Sequence, residues 1–307
     1  MTHVELPAAD RITPIDANAR IITETAAGLP IVEYQHISMA ARSTRLPTVL
    51  CMAGGGFSGA VYALLAEICA ARGIRVVGFD MPGHTPVGLL GSATPSRALI
   101  SRANTAVRAA AVNTMVARWR PRSARLDVLS HSAGFTDIAR MDPSLAVRCG
   151  RFLICGAPIP GIAAMVGAAR ATSLGQSPEP VSLSAVLGQR VVPTGKTSDH
   201  FAGASQRLTE DRSLARYQCP EHISVVLALM TDRVVRQHDW RERKVVLIGS
   251  VGDAIAPPAR IRAAADRLRS WGASVDTEIL ADPLPHLFLV FQNAATRIAD
   301  IAADVAN

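Results

Sequence analysis

Three side chains far apart in the chain, Ser132, Asp253 and His286, could together make an activated nucleophile. A serine hydroxyl attacks a carbonyl only when a base takes its proton, and that base needs a carboxylate to orient it. Ser132 lies in Val128-Leu129-Ser130-His131-Ser132-Ala133-Gly134, where the run Leu126 to Leu129 stops and a helical pattern begins at once. This layout puts a serine on a sharp strand-to-helix turn with its hydroxyl presented outward. The turn crowds the backbone, so the positions two before and two after the serine must be small. Gly134 meets that demand and Ser130 stands where a glycine is usual. The small Ala133 would leave its N–H free as an oxyanion donor. Asp253 follows an apolar stretch in Gly249-Ser250-Val251-Gly252-Asp253, and His286 follows another in Asp282-Pro283-Leu284-Pro285-His286. Asp282, on the same loop as the base, is the rival acid.

These residues need elements that end where the chemistry begins. Residues 20–37 read as two strands joined by a turn at Gly28, a hairpin that would form an antiparallel edge. Strands are expected at Thr48 to Met52, Ile74 to Asp80, Leu126 to Leu129, Phe152 to Cys155, Lys244 to Gly249 and Ser274 to Leu280. Helical patterns lie between them: Ser58 to Arg72, closed by Gly73, then Ser96 to Trp119, a helix to Met141, Ala259 to Trp271, and Leu287 to Ala306. Strands alternating with helices imply an α/β protein, a mostly parallel sheet covered on both faces. From 158 to 240 the pattern breaks. Prolines 158, 160, 178, 180, 193 and 220 punctuate short helical pieces, the best at Glu221 to Val234. The expected organisation is a core of 1–157 and 241–307 with a mainly helical cap, 158–240, inserted into it.

The chain resembles the serine hydrolases of the α/β-hydrolase superfamily, over residues 20–157 and 241–305. Besides the nucleophile elbow at Ser132, Gly78-Phe79-Asp80-Met81-Pro82-Gly83-His84 is similar to the family's Asp-x-Pro-Gly-His loop. Met52-Ala53-Gly54-Gly55-Gly56-Phe57 is similar to its His-Gly-Gly-Gly oxyanion loop, with Ala53 in the histidine's place. The resemblance implies an α/β-hydrolase fold and a catalytic triad of Ser132 as nucleophile, Asp253 as acid and His286 as base. It implies an oxyanion hole from Ala133 with Gly55 or Gly56, and no cofactor or metal. The implied activity is that of a carboxylesterase, lipase or thioesterase working through an acyl-enzyme, and acyl transfer shares the same triad. The cap, with its apolar run Val225 to Met230, suggests a small, moderately hydrophobic acyl substrate.

Other readings compete. Gly54-x-Gly56-x-x-Gly59, with Asp80 about twenty residues on, satisfies the dinucleotide fingerprint of an NAD(P)-dependent oxidoreductase. No Tyr-x-x-x-Lys pair accompanies it: Tyr34, Tyr62 and Tyr217 are followed at that spacing by Ser38, Ala66 and Glu221. Gly195-Lys196-Thr197 imitates the end of a P-loop, but Arg190 occupies the first glycine's place. A hydrolase-like ligand binder is a third class, for which an intact triad is superfluous. Ser132 and Asp253 could each merely cap a helix. Asp80 and His84 are expected to shape their loop rather than react, and His131 to line the elbow.

Composition sets the outer bounds. At 307 residues, 49% hydrophobic and 19% charged, the chain can bury a full core. Its start, Met-Thr-His-Val-Glu-Leu-Pro, shows no leader pattern, and no apolar run is long enough to span a bilayer. Cysteines 51, 69, 149, 155 and 219 lack metal spacing and read as buried thiols, so a cytoplasmic protein is expected. The net charge of +7 is matched by seven arginines (97, 102, 108, 118, 120, 122 and 125) in a stretch without an acid between Asp80 and Asp127. With no aromatic residues interleaved as a nucleic-acid surface would need, they read as a solvated helix face.

Overall fold

The computed structural model describes residues 19–22, 31–40, 44–52, 54, 57–82, 104–157, 240–253, 255–284 and 286–304. The expected cap therefore lies outside the described residues, apart from Trp240, as do Gly55, Gly56, His84, Arg97, Arg102 and Cys219.

Eight strands form one sheet: β1 (Ala19–Ile22), β2 (Ile31–Gln35), β3 (Leu46–Met52), β4 (Arg75–Phe79), β5 (Ser123–His131), β6 (Arg151–Cys155), β7 (Lys244–Ser250) and β8 (Ser274–Leu280). Their order across the sheet is β1-β2-β4-β3-β5-β6-β7-β8. The pairings from β4 to β8 are all parallel, while β2 runs antiparallel to β4 and to β1 as the expected hairpin edge. The helices are α1 (Ile37–Ala40), α2 (Ala63–Ala71), α3 (Thr105–Trp119), α4 (Gly134–Ile138), α5 (Pro143–Ala146), α6 (Pro258–Ser270) and α7 (Gln292–Ala303).

The central strands β3 to β6 are mostly buried on both faces, and alternate residues feed two cores. Val128, Phe152, Ile154, Val245 and Leu247 pack with Val112, Met115 and Trp119 of α3 and Ile261 and Leu268 of α6. Leu129, Leu153, Cys155 and Ile248 pack with Leu65 and Cys69 of α2 and Ile298 of α7. Gly73 ends α2 at φ +71, a left-handed turn in which Ile74 N–H donates to Cys69 O at 3.0 Å.

Some expectations need correction. The first helix starts as a 3-10 turn at Gly59–Tyr62, and the last is broken by extended Phe291 (φ −96, ψ 136) before α7. The arginine block is not simply a solvated face. Arg108 is buried against Asp137 of α4, with Nη2 2.7 Å from Oδ2 and Nε 3.1 Å from Oδ1. Hydrophobic periodicity cannot announce such a pair, because the acid that neutralises Arg108 arrives from another helix.

Candidate active site

In the direction of the parallel strands, β3 sends the chain outward to β4 on one side while β5 lies on the other. The crevice outside the carboxyl ends of β3 and β5 is thus the topological switch point, where open α/β sheets bind ligands. The glycine loop leaves β3 and Ser132 leaves β5 at this point.

Ser132 is held at φ +50, a left-handed conformation costing a non-glycine residue roughly 1–2 kcal/mol. Its N–H donates to Cys155 O (2.9 Å) and its carbonyl accepts from Phe135 N–H (3.0 Å). Thr136 Oγ1 and N–H both close onto Ala133 O, at 2.9 and 3.0 Å. Ala133 N–H meets no acceptor among the described residues. Ser130 is fully buried and its Oγ has no hydrogen-bond partner among the described residues.

His286 Nδ1 stands 2.8 Å from Asp253 Oδ2, with the carboxylate buried. Burial pushes the Asp253 carboxyl up, but the His286 imidazole and the N–H groups of Ala256 and Ile255 outweigh it and hold it below the usual range. Those two N–H groups lie 2.8 and 2.9 Å from Oδ1, so one oxygen caps the chain entering α6 while the other faces the histidine. Asp282 is exposed and receives a bond from Asn293 instead. Among the described residues the buried Nε2 of His286 has no hydrogen-bond partner, and the bond that would join it to Ser132 is not made.

Two glycines set how closely these loops approach. A Cβ on Gly156, at φ +59, would stand 3.0 Å from Cε1 of His286 and 3.4 Å from Asp253 Oδ2. A Cβ on Gly54 would stand 2.8 Å from His131 Nδ1 and 3.1 Å from the Ser132 Cβ. Side chains tie the loops together, and of these only Asp80 is marked by the sequence as shaping its loop. The Ser250 hydroxyl lies 2.8 Å from the carbonyls of both Asp282 and Leu284 and accepts from Leu284 N–H at 2.9 Å. It thereby knots the Asp253 loop to the His286 loop. Buried Asp80 accepts from Ser58 Oγ (2.6 Å), Gly59 N–H (2.8 Å) and Tyr34 Oη (2.6 Å), fastening the far end of the glycine loop. Tyr62 Oη donates to Met52 O at 2.6 Å and fastens its near end. For the others, a serine or tyrosine at an apolar element's end was the only hint in the sequence.

No family model matches the chain, and no curated protein matches it by sequence. Among solved structures it is similar to a monoacylglycerol lipase from Paleococcus ferrophilus (16% identity, TM-score 0.62, covering 90% of this chain and 99% of that one). It is similar also to a soluble variant of monoglyceride lipase from Saccharomyces cerevisiae (11%, 0.65, 95% and 96%) and to the thioesterase domain from the curacin biosynthetic pathway (15%, 0.58, 92% and 98%). The fold is that of the α/β-hydrolases. In this α/β-hydrolase fold no helix of the described residues is long and apolar enough to cross a membrane. Nor do three or more His, Cys, Asp or Glu among those residues gather as a metal site requires.

Proposed function

We propose that the protein is a serine hydrolase cleaving a carboxylic ester, thioester or related acyl bond, with Ser132 as nucleophile, His286 as base and Asp253 as acid. The observation that carries this reading is the buried Asp253–His286 pair beside a serine held in a left-handed turn. His286 Nε2 takes the Ser132 proton as Oγ bonds to the acyl carbon. Ala133 N–H and an N–H of Gly55 or Gly56 hold the oxyanion. His286 then returns the proton to the leaving group, and water, activated by the same imidazole, releases the acid. The Ser132–His286 bond would form as substrate arrives, since catalytic hydrogen bonds tighten in the reacting complex. Residues 158–240 would form the cap and supply an apolar wall for the acyl chain. The lipase and thioesterase neighbours support acyl bonds as the substrate class.

The dinucleotide reading loses ground on two observations. The parallel strands β3 to β8 run 2-1-3-4-5-6 in their own order, not the 3-2-1-4-5-6 of the dinucleotide fold. Asp80, which would have to reach a ribose, is buried and engaged by the glycine loop itself.

The test is a fluorophosphonate probe, with the adduct located by mass spectrometry. Labelling at Ser132 that disappears in Ser132→Ala and in His286→Ala is expected. A folded wild-type protein that does not label would overturn the proposal.

A further inference from the structure

His131, next to the proposed nucleophile, is buried and points sideways between two loops. Its Nε2 lies 2.9 Å from the backbone carbonyl of His286, and its ring centroid 4.8 Å from the His286 ring. A carbonyl can only accept, so Nε2 carries the proton and Nδ1 is the bare nitrogen. Nδ1 faces Gly54 so closely that no side chain fits there. Phe288 closes the ring's surroundings edge-on at 6.2 Å. Burial, followed by the neighbouring His286, depresses the imidazole from its ordinary value to about 3, so it is neutral near pH 7.

We propose that His131 is a positioning residue: lying between the glycine loop and the base loop, it holds the backbone of the base loop through its Nε2–H. This rests on the acyl-transfer reading, in which those two loops bring the base and the oxyanion donor to Ser132. The side chain on one flank of the elbow then sets where the base arrives. No proton passes through His131, and it touches neither substrate nor Ser132 Oγ in the reaction.

The experiment compares wild type, His131→Gln and His131→Phe. Glutamine keeps an N–H donor near the position of Nε2, while phenylalanine keeps the ring and loses the donor. Two readouts are taken on proteins checked by melting temperature: the rate of fluorophosphonate labelling at Ser132, and the downfield proton NMR signal of His286 Nδ1–H, assigned by its absence in His286→Ala. In His131→Phe, labelling should slow by about 10²-fold, the cost of misplacing a reacting group by an ångström. The Nδ1–H signal should broaden away, and His131→Gln should recover both. With a p-nitrophenyl ester the loss should fall on kcat and leave KM nearly unchanged. If His131→Phe does not fold, His131→Asn, too short to reach the carbonyl, takes its place. Variants that keep the signal and label at the wild-type rate overturn the proposal and leave the acyl-transfer reading standing, as does a glutamine variant as impaired as the phenylalanine one. A wild type that fails to label yet loses the Nδ1–H signal in His131→Phe overturns the acyl-transfer reading and keeps the brace.

Discussion

The two ends of the sheet use the same polar side chains differently. At the end where the parallel strands begin, cations meet the protein's own carboxylate and carbonyl oxygens. Arg125 and Arg151 both engage buried Asp127, and both also reach Ala302 O, which ties α7 to the sheet. Arg120 reaches Arg148 O and Arg45 reaches Ser123 O. At the opposite end a buried carboxylate again meets a nitrogen base, yet among the described residues the imidazole's far nitrogen is left without a partner. A guanidinium does not give up its proton, so these pairs can only stabilise. A buried pair with one position open can accept a proton from something new, and that makes the second end a candidate for chemistry.

Changes at the two ends should therefore fail differently. The largest effect is expected from Asp253→Asn. Ser132 labelling should fall by about 10⁴-fold, as when a triad base loses its orienting acid, while the melting temperature shifts little. A comparable fall in stability would erase the distinction between the ends. Asp127→Ala should do the reverse. Removing it takes the counter-charge from Arg125 and Arg151, which are partly exposed and keep Ala302 O, so the loss should be about 1.5–3 kcal/mol. Urea unfolding should show that loss, and the protein that remains folded should label at the wild-type rate.

Gly156→Ala sharpens the comparison, because the added methyl presses on the His286 ring from the end of β6. Labelling should slow by about 10²-fold, with a backbone strain of roughly 1–2 kcal/mol visible in the melting temperature. Unchanged labelling would mean that the imidazole position is not critical.

The pH dependence of stability reads the same end. His131 binds a proton less readily folded than unfolded, so stability is full above pH 6.5 and falls as pH drops toward about 3. The slope approaches ~1.4 kcal/mol per pH unit for one proton. His286 and Asp253 face the ring. Asp253, depressed when folded, adds stability present above the unfolded carboxylate value and lost at more acid pH. Unfolding curves of His131→Gln should be flatter between pH 6 and 4 by about that slope. Ser130→Ala carries the smallest effect. It removes a buried hydroxyl without a partner, and stability should rise by about 1 kcal/mol in thermal unfolding, with labelling unchanged.

Much of this was legible in the amino-acid order. Alternating apolar runs and helical patterns placed the strands, and β8 runs from Ser274 to Leu280 as its pattern requires. Small residues around Ser132 marked the turn, and Asp253 and His286 were marked by following the ends of strands. These signals are local: each is set by residues a few positions apart, through pleat, helix period or turn crowding. Pairing across the fold has no such signature. The sequence favoured Asp253 over Asp282, but only the tertiary structure shows that the β7 loop brings the Asp253 carboxylate to His286 Nδ1 while Asp282 bonds Asn293. The tertiary structure also buried Arg108 on Asp137, drew Ser250 into a knot between two loops, and set His131 against the His286 carbonyl. In each case one partner lies at least 29 residues from the other, and the energy that joins them exists only after the sheet has closed the distance.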